Sequence, residues 1–338
     1  MKQKKLAVVL MNLGGPDHLD SVRPFLYNLF SDPAIIALPS PFRQILARLI
    51  AASRTSKAQD IYKKLGGKSP LLENTHHQQQ ALERSLREIL PEWTSKVFIA
   101  MRYWHPLTEE AVTAVKEWEA DLVVTLPLYP QYSTTTTASS LKRWHDLAGN
   151  LKSLDQVCYF QEPGFIQAYQ ELIQQTLNQA PSTIPLRLLF SAHGIPQKLV
   201  DQGDPYQWQV EQTVTHIMRV FKIEHQICYQ SRVGPLQWLG PNLEDELERA
   251  AQDQVGVIII PVAFVSEHSE TLVELDMDFK AKAVELNIPH YGRVPTVGAH
   301  PAFIEGLAKL VASRVADQHS SHTKYCPAQL TKCGCQSC

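Results

Sequence analysis

The sequence predicts an α/β protein of two domains, each a parallel sheet flanked by helices. Short apolar runs rich in Ile, Val and Leu alternate with segments of helical periodicity, which is the pattern of βα units in parallel sheets. The chain has 338 residues, more than one ordinary domain. The pattern also restarts near residue 186, after the proline-bearing segment APSTIP. We therefore expect a first domain over residues 1–150 and a second over 151–299.

The first half contains four predicted strands. Each is a short apolar run, and Gly14, Gly15 and Pro16 end the first of them, because these residues turn the chain. Segments with helical spacing separate the strands. The predicted strands are residues 5–13, 96–103, 122–126 and 156–160, and the predicted helices are 20–30, 42–52, 72–89, 108–120 and 164–179.

The second half repeats this order. MNLGGP and SAHGIP each end a first strand, and LVVTLP and GVIIIP each form a third strand followed by a polar helix start. Only the placement of Gly and Pro matches, so chance similarity between ordinary βα units stays an alternative. The predicted strands are residues 186–191, 226–230 and 255–260, and the predicted helices are 206–220, 243–251, an acidic helix after the third strand, and 301–315.

The acidic helix carries Glu267, Glu270, Glu274 and Asp278, at spacings of three, four and four. On a helix this spacing places four carboxylates on one face, where like charges repel. Ligands bind at the carboxyl ends of strands in open α/β sheets. Hard oxygen ligands at such a place indicate a divalent cation or proton transfer. The alternative is a solvated helix face.

A histidine follows the first strand of the second half. His193 stands directly before Gly194-Ile195-Pro196, at a predicted strand end. A lone histidine there is commonly a hydrogen-bonded turn residue. Together with the acidic helix, it is a candidate base or metal ligand.

Composition excludes several classes of function. The net charge of −2 gives no basic footprint for nucleic acid. GxGxxG, GxxxxGKS/T and GxSxG are absent, so we expect no nucleotide and no serine-hydrolase elbow. The start, MKQKK, runs straight into a strand-like segment, and no apolar run is long enough to span a bilayer. We therefore expect a cytoplasmic protein.

Six motifs in order resemble the ferrochelatase family: MNLGGP, RYWHPLTEE, LYPQYSTTTTASSL, SAHGIP, YQSRVGPLQWLGP and PVAFVSEHSETLVELD. The resemblance runs from residue 7 to about residue 315. It implies two Rossmann-like, chelatase-like domains with a porphyrin cleft between them. A C-terminal helix near 300–317 would pack back on the first domain. The implied reaction inserts ferrous iron, as substrate, into a porphyrin.

The resemblance also implies residue roles. His193 and Glu270 would be catalytic and would handle iron and protons, with Glu274 and Asp278 as a metal relay leading away from them. Leu13 stands where relatives carry methionine or tyrosine, and leucine cannot coordinate a metal. The residues expected to contact porphyrin are Leu13, Arg102, Tyr103 and Trp238.

Residues 34–52, AIIALPSPFRQILARLIAA, are strongly apolar, with Arg43 and Arg48 as their only charges. They are either ordinary packing surface or an exposed lip that receives porphyrin and touches the membrane, as the resemblance implies. Pro39 and Pro41 argue against a simple core helix. We favour the lip and expect peripheral membrane contact.

The predicted tail, residues 318–338, is rich in cysteine. Four thiols within thirteen residues favour a metal site. By count they suit zinc or a [2Fe–2S] cluster equally, and the resemblance favours the cluster; an unligated tail is the third alternative. The predicted ligands are Cys326, Cys333, Cys335 and Cys338.

The leading hypothesis is thus a ferrochelatase that makes protohaem from protoporphyrin IX. The alternatives are a coproporphyrin ferrochelatase or other tetrapyrrole chelatase, and a non-catalytic porphyrin or haem carrier. A carrier needs a pocket but no acidic line, so the carboxylates favour an enzyme. The sequence leaves the oligomeric state open.

Overall fold

The computed structural model describes residues 3–232, 236–317 and 325–335. Strands and helices alternate along these ranges, and the strands form two four-stranded sheets. The described residues divide into two compact units. The first holds residues 3–158 and 307–317, and the second holds 159–306 and 325–335.

The sheet of the first unit is parallel throughout and has the strand order β2-β1-β3-β4. Its central strand is fully buried from Leu6 to Leu10, as expected for an apolar run covered on both faces. The strands are β1 (Lys4–Asn12), β2 (Trp93–Met101), β3 (Leu122–Pro127) and β4 (Ser153–Asp155).

The helices of the first unit follow its strands as crossovers. A short 3₁₀ turn, Leu19–Ser21, precedes the first of them. The helices are α1 (Val22–Phe30), α2 (Ser40–Lys64), α3 (Leu71–Ile89), α4 (Thr108–Glu117) and α5 (Thr137–Ala148).

The sheet of the second unit is also parallel and has the order β6-β5-β7-β8. Counted from the first strand of each unit, the order is the same in both sheets, which agrees with the repeat that the turn residues predict. In this order the chain moves to one side of the first strand and then to the other, so a switch point lies between the first and third strands. The strands are β5 (Leu186–His193), β6 (Glu224–Gln230), β7 (Gly256–Ile260) and β8 (Tyr291–Arg293).

The second unit contains a π-helix, Glu270–Phe279, where the sequence predicts an ordinary acidic helix. π-helical turns are rare in proteins overall, and those that occur are often at functional sites. The other helices are α6 (Pro163–Gln179), α7 (Gln197–Asp201), α8 (Tyr206–Met218), α9 (Leu243–Gln252), α10 (Lys280–Glu285) and α11 (Pro301–Ala316), the last with its residues from Leu307 onward in the first unit.

The fold prediction of two parallel sheets flanked by helices is confirmed, with local corrections. The strand predicted at residues 156–160 is wrong, because β4 ends at Asp155. Helix α5 is predicted only as a polar helix start after LVVTLP, without bounds: its threonine and serine residues have weak helix propensity, but its apolar face packs on the core around Trp144. Helix α2 runs 12 residues beyond the predicted end at residue 52.

Candidate functional site

An imidazole and a carboxylate meet at the switch point of the second sheet. His193 is the last residue of β5, and Glu270 begins the π-helix that follows β7. His193 Nδ1 lies 2.9 Å from Glu270 Oε2. The two residues are 77 positions apart in sequence, so only the parallel pairing of β5 with β7 brings them together.

Two further contacts fix this pair. The Tyr206 hydroxyl donates to the His193 carbonyl at 3.0 Å. His268 Nε2 lies 3.7 Å from the same oxygen of Glu270 that faces His193. The His193 side chain is still 39% exposed, so part of its ring is open to a substrate.

Each member of the His193–Glu270 pair shifts the pKa of the other. Burial opposes protonation of His193, but the charge of Glu270 and the hydrogen bond to it outweigh burial and raise the pKa of His193. Burial likewise opposes ionisation of Glu270, and the charges and hydrogen bonds of the two histidines overcome it and lower the pKa of Glu270. His193 is therefore a stronger base than a histidine in water, which suits proton abstraction.

Glu274 lies one turn further along the π-helix. Its Oε2 accepts hydrogen bonds from Gln230 Nε2 and from the Ser231 hydroxyl, both at 2.8 Å. Burial and the negative charge of Glu270 raise the pKa of Glu274, and those two hydrogen bonds partly offset the rise. Since a π-helix bonds residue i to i+5, Glu270 and Glu274 are slightly less than one turn apart and share a side of the helix.

The outer members of the predicted carboxylate line differ from these two. Asp278 lies on the same helix and is exposed. Glu267 precedes the helix, and its Oε1 accepts from Arg293 Nη1 at 2.6 Å, while Arg293 also binds Asp276. The prediction that Glu267 shares the helix face is thus wrong, because this ion pair ties it to β8.

In the first unit, Arg102 and Tyr103 follow β2 and bind one buried carboxylate. Arg102 Nη2 lies 2.6 Å from Asp32 Oδ2, and the Tyr103 hydroxyl donates to the same oxygen at 2.8 Å. Ser139 joins this cluster. The Tyr103 side chain is buried, whereas Leu13 is half-buried beside it. Porphyrin contact by Leu13, Arg102 and Tyr103 stays a prediction.

Trp238 lies beside the histidine strand. It is half-buried and forms a bridge with Pro196, and a Cβ placed on Gly194 would come within 3.3 Å of its ring. Glycine after His193 thus lets the indole approach the strand end. Porphyrin contact by Trp238 also stays a prediction, and residues 233–235 of its motif lie outside the described ones.

The segment predicted as a lip exposes a row of apolar side chains. Phe42, Ile45 and Leu49 on α2 are 66%, 57% and 63% exposed, and their spacing of three and four places them on one helix face. Ile35 and Leu38, just before the helix, are exposed too. We call these five residues the apolar lip. Across the described ranges, we find no helix with the length and apolarity needed to cross a bilayer.

The tail folds against the second unit. Cys326, Cys333 and Cys335 are buried, and Cys333 Sγ lies 3.2 Å from Cys326 Sγ, longer than a disulfide bond. Gln209 Nε2 on α8 donates to Cys326 Sγ at 3.2 Å, and Lys332 N donates to the Gly203 carbonyl at 3.1 Å. Cys338 lies outside the described residues.

Within residues 3–232, 236–317 and 325–335, no group of three or more His, Cys, Asp and Glu side chains is arranged to hold a metal ion.

Sequence reasoning missed four residues around the His193–Glu270 pair: Tyr206, Gln230, Ser231 and, as a partner of Glu270, His268. Only His268 had a signal, since it stands two residues before Glu270. Tyr206 begins α8, and Gln230 and Ser231 stand at the end of β6, so only the tertiary fold brings them to the pair.

The chain matches known proteins over almost its whole length. The profile of a family described as Ferrochelatase matches residues 5–315. Ferrochelatase of Caulobacter vibrioides is 48% identical, with 98% of each chain covered. Ferrochelatase of Rickettsia bellii is 44% identical, covering 99% of this chain and 96% of the relative.

Solved structures share the fold. SirB from Bacillus subtilis with Fe3+ superposes with a TM-score of 0.52 at 12% identity, covering 93% of this chain and 97% of that one. At this identity the likeness shows the fold alone.

Two parallel sheets of one strand order, with an imidazole–carboxylate pair at a strand end, define a protein of the chelatase fold class. The sequence matches narrow this class further. The chain belongs to the ferrochelatase family.

Proposed function

We propose that this protein inserts ferrous iron into protoporphyrin IX to form protohaem, the last step of haem synthesis. The observation that carries the proposal is the contact between His193 Nδ1 and Glu270 Oε2 at the switch point of the second sheet. Family membership over residues 5–315 supports the same reaction.

The reaction needs two proton transfers and one dehydrated cation. Both pyrrole N–H protons leave the porphyrin as Fe2+ takes their place. His193 accepts the two protons in turn and releases each to water through the 39% of its side chain that is exposed, and Glu270 stabilises the imidazolium that forms each time. Carboxylate oxygens replace water around a hard cation, and we assign this step to Glu274, with exposed Asp278 as the outer contact.

The test of function is anaerobic incubation of the purified protein with ferrous iron and one porphyrin at a time, followed by absorbance. We expect protohaem from protoporphyrin IX. Turnover with coproporphyrin only, or with another tetrapyrrole only, would replace the substrate assignment. Tight porphyrin binding without metal insertion would make the protein a carrier and contradict the proposal.

We infer that the apolar lip inserts into the surface of a lipid bilayer. Three large apolar side chains on one exposed helix face are the pattern of an interfacial helix. Arg48 and Arg54 on the same helix are exposed, so α2 also carries positive charge that favours anionic headgroups.

Ile45→Glu should release the protein from liposomes containing anionic lipid. Removing one buried apolar side chain costs about 1.5–3 kcal/mol of transfer free energy, and the added charge is repelled as well. Co-sedimentation with liposomes measures this, with circular dichroism to confirm folding. Val284→Glu is the matched control, since Val284 is an exposed apolar residue on α10. Unchanged sedimentation of Ile45→Glu would contradict the lip.

We also propose that the tail binds a [2Fe–2S] cluster through Cys326, Cys333, Cys335 and Cys338. The buried thiols suit it, because soft thiolates select iron–sulfur clusters or zinc over hard cations. Cys326 Sγ and Cys333 Sγ lie 3.2 Å apart, so two of the four proposed ligands are already neighbours. The cluster would supply a redox-sensitive link that couples ligation to folding of the tail.

Protein purified anaerobically should then be red-brown, with about two irons per chain. Cys333→Ser and truncation before Cys326 should both remove the colour, since each takes away thiolate ligands. Cys228→Ala, which alters a buried thiol of β6, should keep it. Colourless protein with stoichiometric zinc would replace the cluster by a zinc site, and protein without either metal would contradict a metal-binding tail.

A further inference from the structure

Gln230 is the buried residue that joins the histidine strand to the π-helix. It ends β6, directly opposite His193 in the parallel register, and it is 2% exposed. Its Oε1 accepts from the Ser191 hydroxyl at 2.6 Å. Its Nε2 donates to the Glu270 carbonyl at 3.1 Å and to Glu274 Oε2 at 2.8 Å.

These contacts fix the orientation of the amide. Both N–H bonds point at groups that only accept, a backbone carbonyl and a carboxylate, so the nitrogen cannot exchange places with the oxygen. One side chain therefore holds the backbone of Glu270 and the carboxylate of Glu274 at a fixed separation. A buried amide with all three partners satisfied is a rigid support.

Ser231 reinforces this arrangement at a conformational cost. Its φ of 66° lies in the left-handed region, which is sterically unfavourable for a non-glycine residue. In this conformation its hydroxyl donates to Glu274 Oε2, the same oxygen that Gln230 binds. Neither bond uses Glu274 Oε1, and within residues 3–232, 236–317 and 325–335 no hydrogen bond or ion pair reaches that oxygen.

We propose that Gln230 is a positioning residue for metal delivery: with Ser231, it holds Glu274 Oε2 so that Oε1 hands the cation to the His193–Glu270 pair. This inference rests on the proposed function. Gln230 would have no contact with porphyrin. Loss of its side chain should therefore change the KM for iron and leave the KM for porphyrin unchanged.

The test is Gln230→Met, which keeps the length of the side chain and removes the amide. Initial rates are measured anaerobically on the full-length protein, with ferrous iron and protoporphyrin IX varied separately. Because the Glu274 carboxylate loses a hydrogen-bond donor, the KM for iron should rise roughly tenfold. The KM for porphyrin should not change. Gln226→Met is the matched control on the same strand, where the amide bonds the neighbouring Ile227 carbonyl.

Two further variants separate positioning from packing. Gln230→Glu keeps the shape but sets an acceptor against Glu274, so its KM for iron should rise more than that of Gln230→Met. In a Glu274→Gln background, Gln230→Met should have little further effect on the KM for iron. Equal rises in both KM values, or additive effects in the double variant, would overturn the proposal.

Ser231→Gly keeps the proposal testable if the Gln230 variants fold poorly. Glycine relieves the left-handed conformation, so this variant should unfold at a higher temperature while its KM for iron rises. An unchanged KM for iron would overturn the proposal. Wild-type protein is assayed in parallel. If it does not insert iron, the proposed function itself is contradicted; if it does, a negative result in the variants contradicts only the role of Gln230.

Discussion

His193→Ala should abolish iron insertion while porphyrin still binds. The substitution removes the base at the end of β5, and a positioned general base contributes roughly 10²–10⁴-fold to a rate. It leaves the surrounding strand pairing intact, because the Tyr206 hydroxyl binds the His193 backbone carbonyl and not its ring. Turnover with ferrous iron measures the first effect, and quenching of porphyrin fluorescence measures the second.

The first unit offers a matched control for this substitution. His145 Nε2 lies 2.8 Å from Asp155 Oδ2, and this hydrogen bond raises the pKa of His145 despite partial burial. His145→Ala therefore removes a similar histidine–carboxylate pair from a place without proposed chemistry, and it should retain wild-type turnover. Near-wild-type turnover of His193→Ala would contradict the assignment of the base.

Glu270→Gln should lower turnover by roughly 10²-fold or more, because it removes the charge that stabilises a protonated His193. Glu274→Gln should have a smaller effect, since Glu274 lies one turn away from the pair and the proposed step for it is cation transfer. Asp155→Asn is the matched control, and its turnover should not change. Equal, small losses for Glu270→Gln and Glu274→Gln would mean that the carboxylates are only a solvated face.

The residual activity of Glu270→Gln should also have a shifted pH profile. His193 must be neutral to accept a proton, so activity falls as pH drops through the pKa of His193. Glu270 raises that pKa. Without its charge the pKa falls, and the acid limb of the rate profile should move to lower pH. An unmoved limb would show that His193 is not the titrating group.

Two parallel sheets were predictable from the sequence because buried parallel strands are short apolar runs with Gly or Pro at their ends. Val257–Ile260 and Val8–Leu10 are of this kind, and both are fully buried. β4 was misplaced because Ser153–Asp155 is polar and half-buried, whereas the apolar residues after it pack without joining the sheet. The domain boundaries expected at residues 150 and 299 stay predictions.

The sequence by itself determined which residue types stand at the strand ends: the imidazole of SAHGIP and the carboxylates of SEHSETLVELD. It placed His193, Glu270 and Glu274 as candidates because strand and helix starts are local patterns. Only the tertiary structure decided that Glu267 binds Arg293 and that Gln230 and Ser231 hold Glu274. The physical reason is that these contacts join β6, β7 and β8 through sheet register and a π-helical turn, and neither is set by local sequence.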